Sequence, residues 1–207
     1  MTQLETLQRE LRRSARADLA SPPELADAAA AAGLLDVAYA TLDSPVGTLL
    51  LAATPAGLVR LAYLDADEED AVLEDVAARV SPRVLSAPRK LDEPRRELDE
   101  YFGGRRRAFE LALDWRLISD FGRRVLAATA AIPYGAVSTY GDVAAVAGSP
   151  RGSRAAGNAL GANPLPIVLP CHRVLRSGGA LGGYTGGLDR KRTLLAIERG
   201  QSALGVV

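Results

Sequence analysis

Residues 166–174 read Pro166-Ile167-Val168-Leu169-Pro170-Cys171-His172-Arg173-Val174, and they hold the only cysteine and the only histidine of the 207-residue chain. Ile167, Val168 and Leu169 form a short apolar run between two prolines. Such a run reads as a buried strand or extended segment, and Pro170 keeps it from continuing as a regular ladder. Cys171 is then delivered at a turn, at the end of a buried element. Taken singly, a lone cysteine is a small core hydrophobe and a lone histidine a satisfied polar residue. Side by side in a proline-bounded turn they point instead to thiolate chemistry, which needs a base or a positive partner near the sulfur. Neighbours along a strand face opposite sides, so contact between the two requires a bend or a water between them.

Upstream of this stretch the pattern is helical. Ser119 or Asp120 caps a helix carrying Phe121, Val125 and Leu126, which ends at Ile132-Pro133-Tyr134-Gly135. Thr139-Tyr140-Gly141-Asp142 caps a second, through Ala147, and residues 151–161 form a third after a Gly148-Ser149-Pro150 turn. Two short helices joined by a glycine-containing turn are a helix-turn-helix signal. In the last helix Ala155, Ala156, Gly157 and Ala159 surround Arg154. Small residues let a helix approach another surface closely. That surface is either the protein's own interior or a DNA groove, with Arg154 as the one long side chain available to enter it. Downstream, the loop Gly182-Gly183-Tyr184-Thr185-Gly186-Gly187 lacks the Lys-Ser/Thr ending of a nucleotide-binding loop and reads as a close-fitting cover over a ligand. Residues 189–199 form a final helix stopped by Gly200. Glu198 lies late on that helix, where an exposed acid opposes the macrodipole, so it is either a surface acid or has a buried partner.

The first half reads differently. Residues 1–36 form a helical extension: Thr2-Gln3-Leu4-Glu5 matches a capping box, and Ser21-Pro22 opens a second helix that ends near Gly33. From Val37 a hairpin around Ser44-Pro45-Val46-Gly47 and a turn at Pro55-Ala56-Gly57 make a three-stranded antiparallel meander. Helices over 67–79 and 89–102 follow, the second closed by Gly103-Gly104, and residues 109–115 read as a strand that ends an α/β domain spanning 37–115. The acidic run 65–75 lacks the spacing of a calcium loop. The boundary falls near residue 115, leaving 116–207 as the domain that holds the Cys171 stretch.

Composition narrows the function. One cysteine excludes an internal disulfide, and one cysteine with one histidine cannot make a Cys/His zinc site. No apolar run approaches a membrane span, so a cytoplasmic protein is the default. Net charge is zero, yet residues 1–115 carry 14 basic and 21 acidic side chains while 116–207 carry 11 and 4. The preference for arginine, 23 against 2 lysines, is a matter of composition; the departure of acids from the second half suggests a face for a polyanion.

Six ordered pieces of residues 119–200 resemble the O6-methylguanine–DNA methyltransferase family. They are Ile132-Pro133-Tyr134-Gly135, Ser138-Thr139-Tyr140, Arg154-Ala155-Ala156-Gly157, Gly161-Ala162-Asn163-Pro164, Pro170-Cys171-His172-Arg173-Val174 and Gly183-Tyr184-Thr185-Gly186-Gly187-Leu188. The resemblance implies an α/β fold, with a ribonuclease-H-like first domain and a mainly helical, winged-helix-like second domain. It implies flipping of an O6-alkylated guanine, with O4-alkylthymine as a further substrate, out of duplex DNA. The alkyl group passes once to Cys171, with no cofactor or metal, on a monomer. By the same resemblance His172 takes the thiol proton through a water, oriented by Glu198. Tyr140 donates to the base and presses the flanking phosphate, and Arg154 fills the gap left by the flipped nucleotide. Asn163 ties the cysteine turn to the helix-turn-helix, and Tyr184 and Thr185 close over the guanine. Many relatives have Ser at the position of Thr185, which keeps the hydroxyl. Relatives with a structural zinc hold it on first-domain Cys and His, which this chain lacks. Residues 1–36 have no counterpart there. Two other readings remain: a non-catalytic lesion sensor, whose known forms lack the cysteine, and a Cys–His hydrolase indifferent to DNA.

Overall fold

The hairpin turn is built by local side chains. Ser44 Oγ donates to the Gly47 carbonyl at 2.6 Å, and Thr48 Oγ1 donates to Asp43 Oδ1 at 2.9 Å. They join β1 (Val37–Leu42) to β2 (Thr48–Thr54), with Ala40 opposite Leu51. β3 (Gly57–Leu64) completes the antiparallel meander. The computed structural model describes residues 23–65 and 68–200, so the capping box at 2–5 and the Ser21 cap lie outside the described residues. Helix α1 (Pro23–Ala31) precedes the sheet.

Helix α2 (Glu69–Arg79) crosses to β4 (Val84–Ser86), which pairs parallel with β1, giving the order β3-β2-β1-β4. This fourth strand has no signature in sequence, because three residues beside Pro82 are too few to show an alternation. The chain then takes a 3₁₀ turn, Pro88–Leu91, into α3 (Asp92–Phe102), which Gly103 and Gly104 end.

The period-2 alternation of β2 divides the core. Leu50 and Ala52 join Val37, Val59 and Val76 beneath α2. Leu49 and Leu51 face the other way, into a cluster that runs without a break through Leu98 and Tyr101 to Val125, Leu126, Cys171 and Leu194. Each fully buried leucine of this kind contributes roughly 1.5–3 kcal/mol. The reactive stretch therefore sits on a core that the first-domain sheet helps to build.

Residues 109–115 are a correction. They form no strand, only a single parallel bridge from Leu113 to Leu58, with Leu58 N–H donating to the Ala112 carbonyl and Asp114 N–H to the Leu58 carbonyl. Asp114 then accepts from Thr54 Oγ1 and from the Arg116 amide, which turns the chain into the 3₁₀ segment Trp115–Leu117 before a ladder can extend. Gly57 permits this approach: a Cβ there would lie 2.3 Å from the Ala112 oxygen.

In the second half Ser119 caps α4 (Asp120–Ala130), its Oγ accepting from the Gly122 amide. Thr139 and Asp142 form a reciprocal capping box at the start of α5 (Tyr140–Val146). A turn leads to α6 (Ser153–Gly161), which begins two residues later than its sequence suggests because Arg151 and Gly152 belong to the turn. α5 and α6 are the helix-turn-helix pair. A two-stranded parallel sheet, β5 (Ser138–Thr139) with β6 (Val174–Leu175), sets the start of α5 beside the chain leaving Cys171. The last helix, α7, runs over Leu188–Glu198. The fold is thus mixed α/β, with a mainly antiparallel sheet in the first domain and helices in the second. Among the described residues no helix is long and apolar enough to cross a membrane.

Candidate active site

The expected strand at 167–169 is also corrected. The segment is buried, but it is a tight turn in which Leu169 N–H donates to the Leu165 carbonyl and Val168 N–H to that of Pro166. Ile167 has φ +72°, a conformation a β-branched residue adopts only when its surroundings over-determine it. Asn163 supplies much of that constraint. Its Oδ1 accepts from the Leu165 amide at 3.0 Å, and its Nδ2 donates to the Leu169 carbonyl at 2.8 Å. The same Nδ2 lies 3.3 Å from Cys171 Sγ as a donor. Cys171 itself opens a 3₁₀ turn, Cys171–Arg173, so consecutive side chains fan out instead of alternating.

That fan carries His172 and Arg173 onto Glu198, at the end of α7. His172 Nε2 is 2.9 Å from Glu198 Oε1, and Arg173 donates through Nε and Nη2, each at 2.9 Å. Tyr101 Oη donates at 2.8 Å from the first domain, and the Gly135 amide at 3.1 Å. Gly135, at φ +75°, is needed here because a Cβ would meet the Glu198 carbonyl at 3.0 Å. The side chains of Glu198, His172, Arg173 and Tyr101 are all buried. Burial opposes ionisation of Glu198, yet hydrogen bonds from His172 and Arg173 and the positive charge of Arg173 hold its pKa at about 2. Burial drives His172 below its ordinary value in spite of Glu198, so the ring is neutral. With Nε2–H committed to the carboxylate, Nδ1 carries the lone pair, and it has no partner among the described residues.

Burial also pushes the Cys171 thiol up; the Asn163 amide, the charge of Lys191 and a hydrogen bond from Tyr184 oppose that shift. Lys191, fully buried on α7, donates to the Val174 and Leu181 carbonyls, and burial lowers its pKa to about 8. Tyr140 Oη donates to the Gly183 carbonyl at 3.3 Å, and its ring lies against Gly157 of α6. Thr185 Oγ1 donates to the Gly161 carbonyl at 2.7 Å, fastening the glycine-rich loop to the end of α6. Arg154 and Ala155 are exposed on α6, whereas Ala156 is buried.

Two family models cover most of the chain: the 6-O-methylguanine DNA methyltransferase ribonuclease-like domain matches residues 37–115, and the DNA binding domain of the same family matches 120–200. A methylated-DNA–protein-cysteine methyltransferase of Mycolicibacterium paratuberculosis is 42% identical over 166 residues, covering 80% of this chain and 94% of the relative.

The chain belongs to the 6-O-methylguanine DNA methyltransferase family.

A relative from Methanosarcina barkeri with the same designation is 37% identical over 160 residues, covering 77% of this chain and 96% of its own. Among solved structures, Mycobacterium tuberculosis OGT in complex with DNA superposes with a TM-score of 0.68 at 36% identity, covering 80% of this chain and 96% of that one. The M. tuberculosis O6-methylguanine methyltransferase gives 0.69 at 38%, with 80% and 94% covered.

In this methyltransferase-family chain Cys171, His172, Glu198, Asn163 and Tyr184 converge, and Tyr140 and Thr185 border them. Arg154 stands apart on the exposed side of α6. Sequence reading missed Arg173, Lys191, Tyr101 and Tyr63, whose hydroxyl lies 2.6 Å from that of Tyr184. Arg173 and Lys191 looked like two basic residues among many, and only burial distinguishes them. The two tyrosines come from the first domain, where no local pattern marks chemistry.

Proposed function

We propose that this protein repairs DNA by moving the alkyl group of an O6-alkylguanine, and of O4-alkylthymine, from the duplex to Cys171, as a cytoplasmic monomer. The observation that carries this reading is a thiol held by Asn163 beside a neutral imidazole whose other nitrogen is fixed on Glu198. Displacement at an alkyl carbon needs a thiolate, and a buried thiol resists ionisation. His172 Nδ1 takes the thiol proton through a water while Glu198 stabilises the resulting imidazolium, in the general Cys–His–acid logic. The sulfur attacks the alkyl carbon, and a C–S bond forms as the C–O6 bond breaks. The bonding pair leaves with the guanine, which takes up a proton. A thioether does not hydrolyse, so each chain acts once.

Arg154, on the small-residue face of α6, enters the duplex and occupies the space of the everted nucleotide. Tyr140 donates to the base and presses on the phosphate beside it. Tyr184, Thr185 and the backbone of the glycine-rich loop close over the guanine, and Asn163 holds the cysteine turn against the helix-turn-helix.

Intact mass after incubation with methylated duplex tests this reading. One added methyl group per chain, located on Cys171 and absent from Cys171→Ala, is expected. More than one per chain, or a methyl elsewhere, rejects it.

A further inference from the structure

Strand β3 lies at the edge of its sheet, and beyond the Leu58–Leu113 bridge that edge meets the reactive turn and loop of the other domain. Leu61 N–H donates to the Pro164 carbonyl at 2.8 Å, which pins the Asn163 turn. Tyr63 Oη lies 2.6 Å from Tyr184 Oη. Just beyond the strand Asp65 pairs with Arg190, Nη2 to Oδ1 at 2.6 Å. Arg190 also donates to the Gly186 carbonyl and the Val46 carbonyl, and its guanidinium sits 4.8 Å above the Tyr63 ring. The Leu61 amide and the Tyr63 and Asp65 side chains lie within five residues, so one short stretch grips both segments that carry the chemistry.

Tyr184 in turn lies close enough to the Cys171 thiol for its hydroxyl to favour the thiolate. A hydroxyl that donates to sulfur has its oxygen lone pairs left to accept. Tyr63 is the neighbour that can fill them, and the cation above its ring makes its O–H the better donor. We propose that Tyr63 is a positioning residue of the transfer site: its hydroxyl donates to Tyr184, which keeps the Tyr184 O–H turned toward Cys171 and the loop closed. The first domain then does more than support the second, because it completes a directed chain from Tyr63 through Tyr184 to the sulfur. Hydrogen bonds in such a chain polarise one another. The inference rests on Cys171 being the acceptor.

The groups facing Cys171 are Lys191 from α7, Asn163 from the turn, Tyr140 from α5, and Tyr184 and Tyr63. Among these, only Tyr63 comes from the first domain. Tyr63→Phe removes one oxygen and keeps the ring under Arg190, so folding should be retained.

The experiment compares wild type, Tyr63→Phe, Tyr184→Phe and the double variant. It measures the rate of methyl transfer from methylated duplex, and the pH dependence of Cys171 alkylation by iodoacetamide, with thermal melts as control. Tyr63→Phe should slow transfer at pH 7 on the order of 3- to 10-fold. It should also move the onset of thiol reactivity to higher pH, and it should have no further effect once the Tyr184 hydroxyl is gone. Wild-type rates and pH profile in Tyr63→Phe would overturn the inference. So would an equal loss with and without the Tyr184 hydroxyl, which marks a purely structural role. A methyl group still accepted by Cys171→Ala would instead remove the reading on which it rests.

Discussion

Glu198 and Arg154 lie in the same domain and are built in opposite ways. The Glu198 carboxylate is buried and met by His172, Arg173, Tyr101 and the Gly135 amide. The Arg154 guanidinium is exposed and makes no hydrogen bond or ion pair with the described residues. The first arrangement is complete within the protein, and removing a member leaves its partners buried and unpaired. The second costs the fold nothing and awaits something outside it. Loss of Glu198 should therefore cost stability as well as transfer, whereas loss of Arg154 should cost transfer alone.

The largest effect expected is from Glu198→Ala. Breaking a buried pair by removing one partner costs about 3–5 kcal/mol, here because Arg173 is left buried without its counter-charge. Urea melts at neutral pH check this, and a loss under about 1 kcal/mol would place the cluster among pairs of little worth.

Asn163→Ala comes next, at roughly 1–3 kcal/mol, because the Leu165 amide and the Leu169 carbonyl lose their partner in a buried turn. The same change should raise the pH at which Cys171 reacts, since the amide favours the thiolate. Reactivity against pH with iodoacetamide, together with a thermal melt, reads both.

A smaller effect is set by pH. Glu198 has its folded pKa at about 2, below an ordinary carboxylate near 4.3. The stability it contributes is complete above that ordinary value and is lost as pH falls through about 2. Melts between pH 6 and 2.5 should therefore show a steep acid loss in wild type and a shallower one in Glu198→Gln.

The least change in stability is expected from Arg154→Ala, within about 0.5 kcal/mol of wild type, as for exposed positions in general. Its effect falls on repair: transfer from methylated duplex should drop at least tenfold while transfer from the free base stays unchanged. Equal losses on both substrates would erase the contrast with Glu198. Binding to duplex DNA should weaken with salt, since Arg151, Arg154 and Arg176 are exposed in a half that carries few acids.

Much of this site was legible one residue at a time. The pairing of Cys171 with His172 and the order of six short motifs placed the chain in its family. The Thr139 and Ser119 caps marked the helices that the structure contains. What failed were the two strands read from apolar runs, at 109–115 and 167–169. Alternation and apolarity report burial, and both segments are partly or wholly buried. They do not report whether a partner strand is available to form a ladder. At 109–115 Asp114 turns the chain away after one bridge, and at 167–169 Asn163 folds it into a turn that forces Ile167 to positive φ.

Local chemistry along the chain singled out Cys171 and His172 as candidates and marked the starts of the helices at Ser119 and Thr139, because caps, prolines and reactive types act over a few positions. Long-range packing settled the rest. It chose Glu198 over the other acids and, among the described basic residues, buried Arg173 and Lys191. It also brought Tyr63 and Tyr101 across from the first domain. Those choices depend on desolvation and on contacts between residues as many as 121 positions apart, quantities that only a shared core can fix.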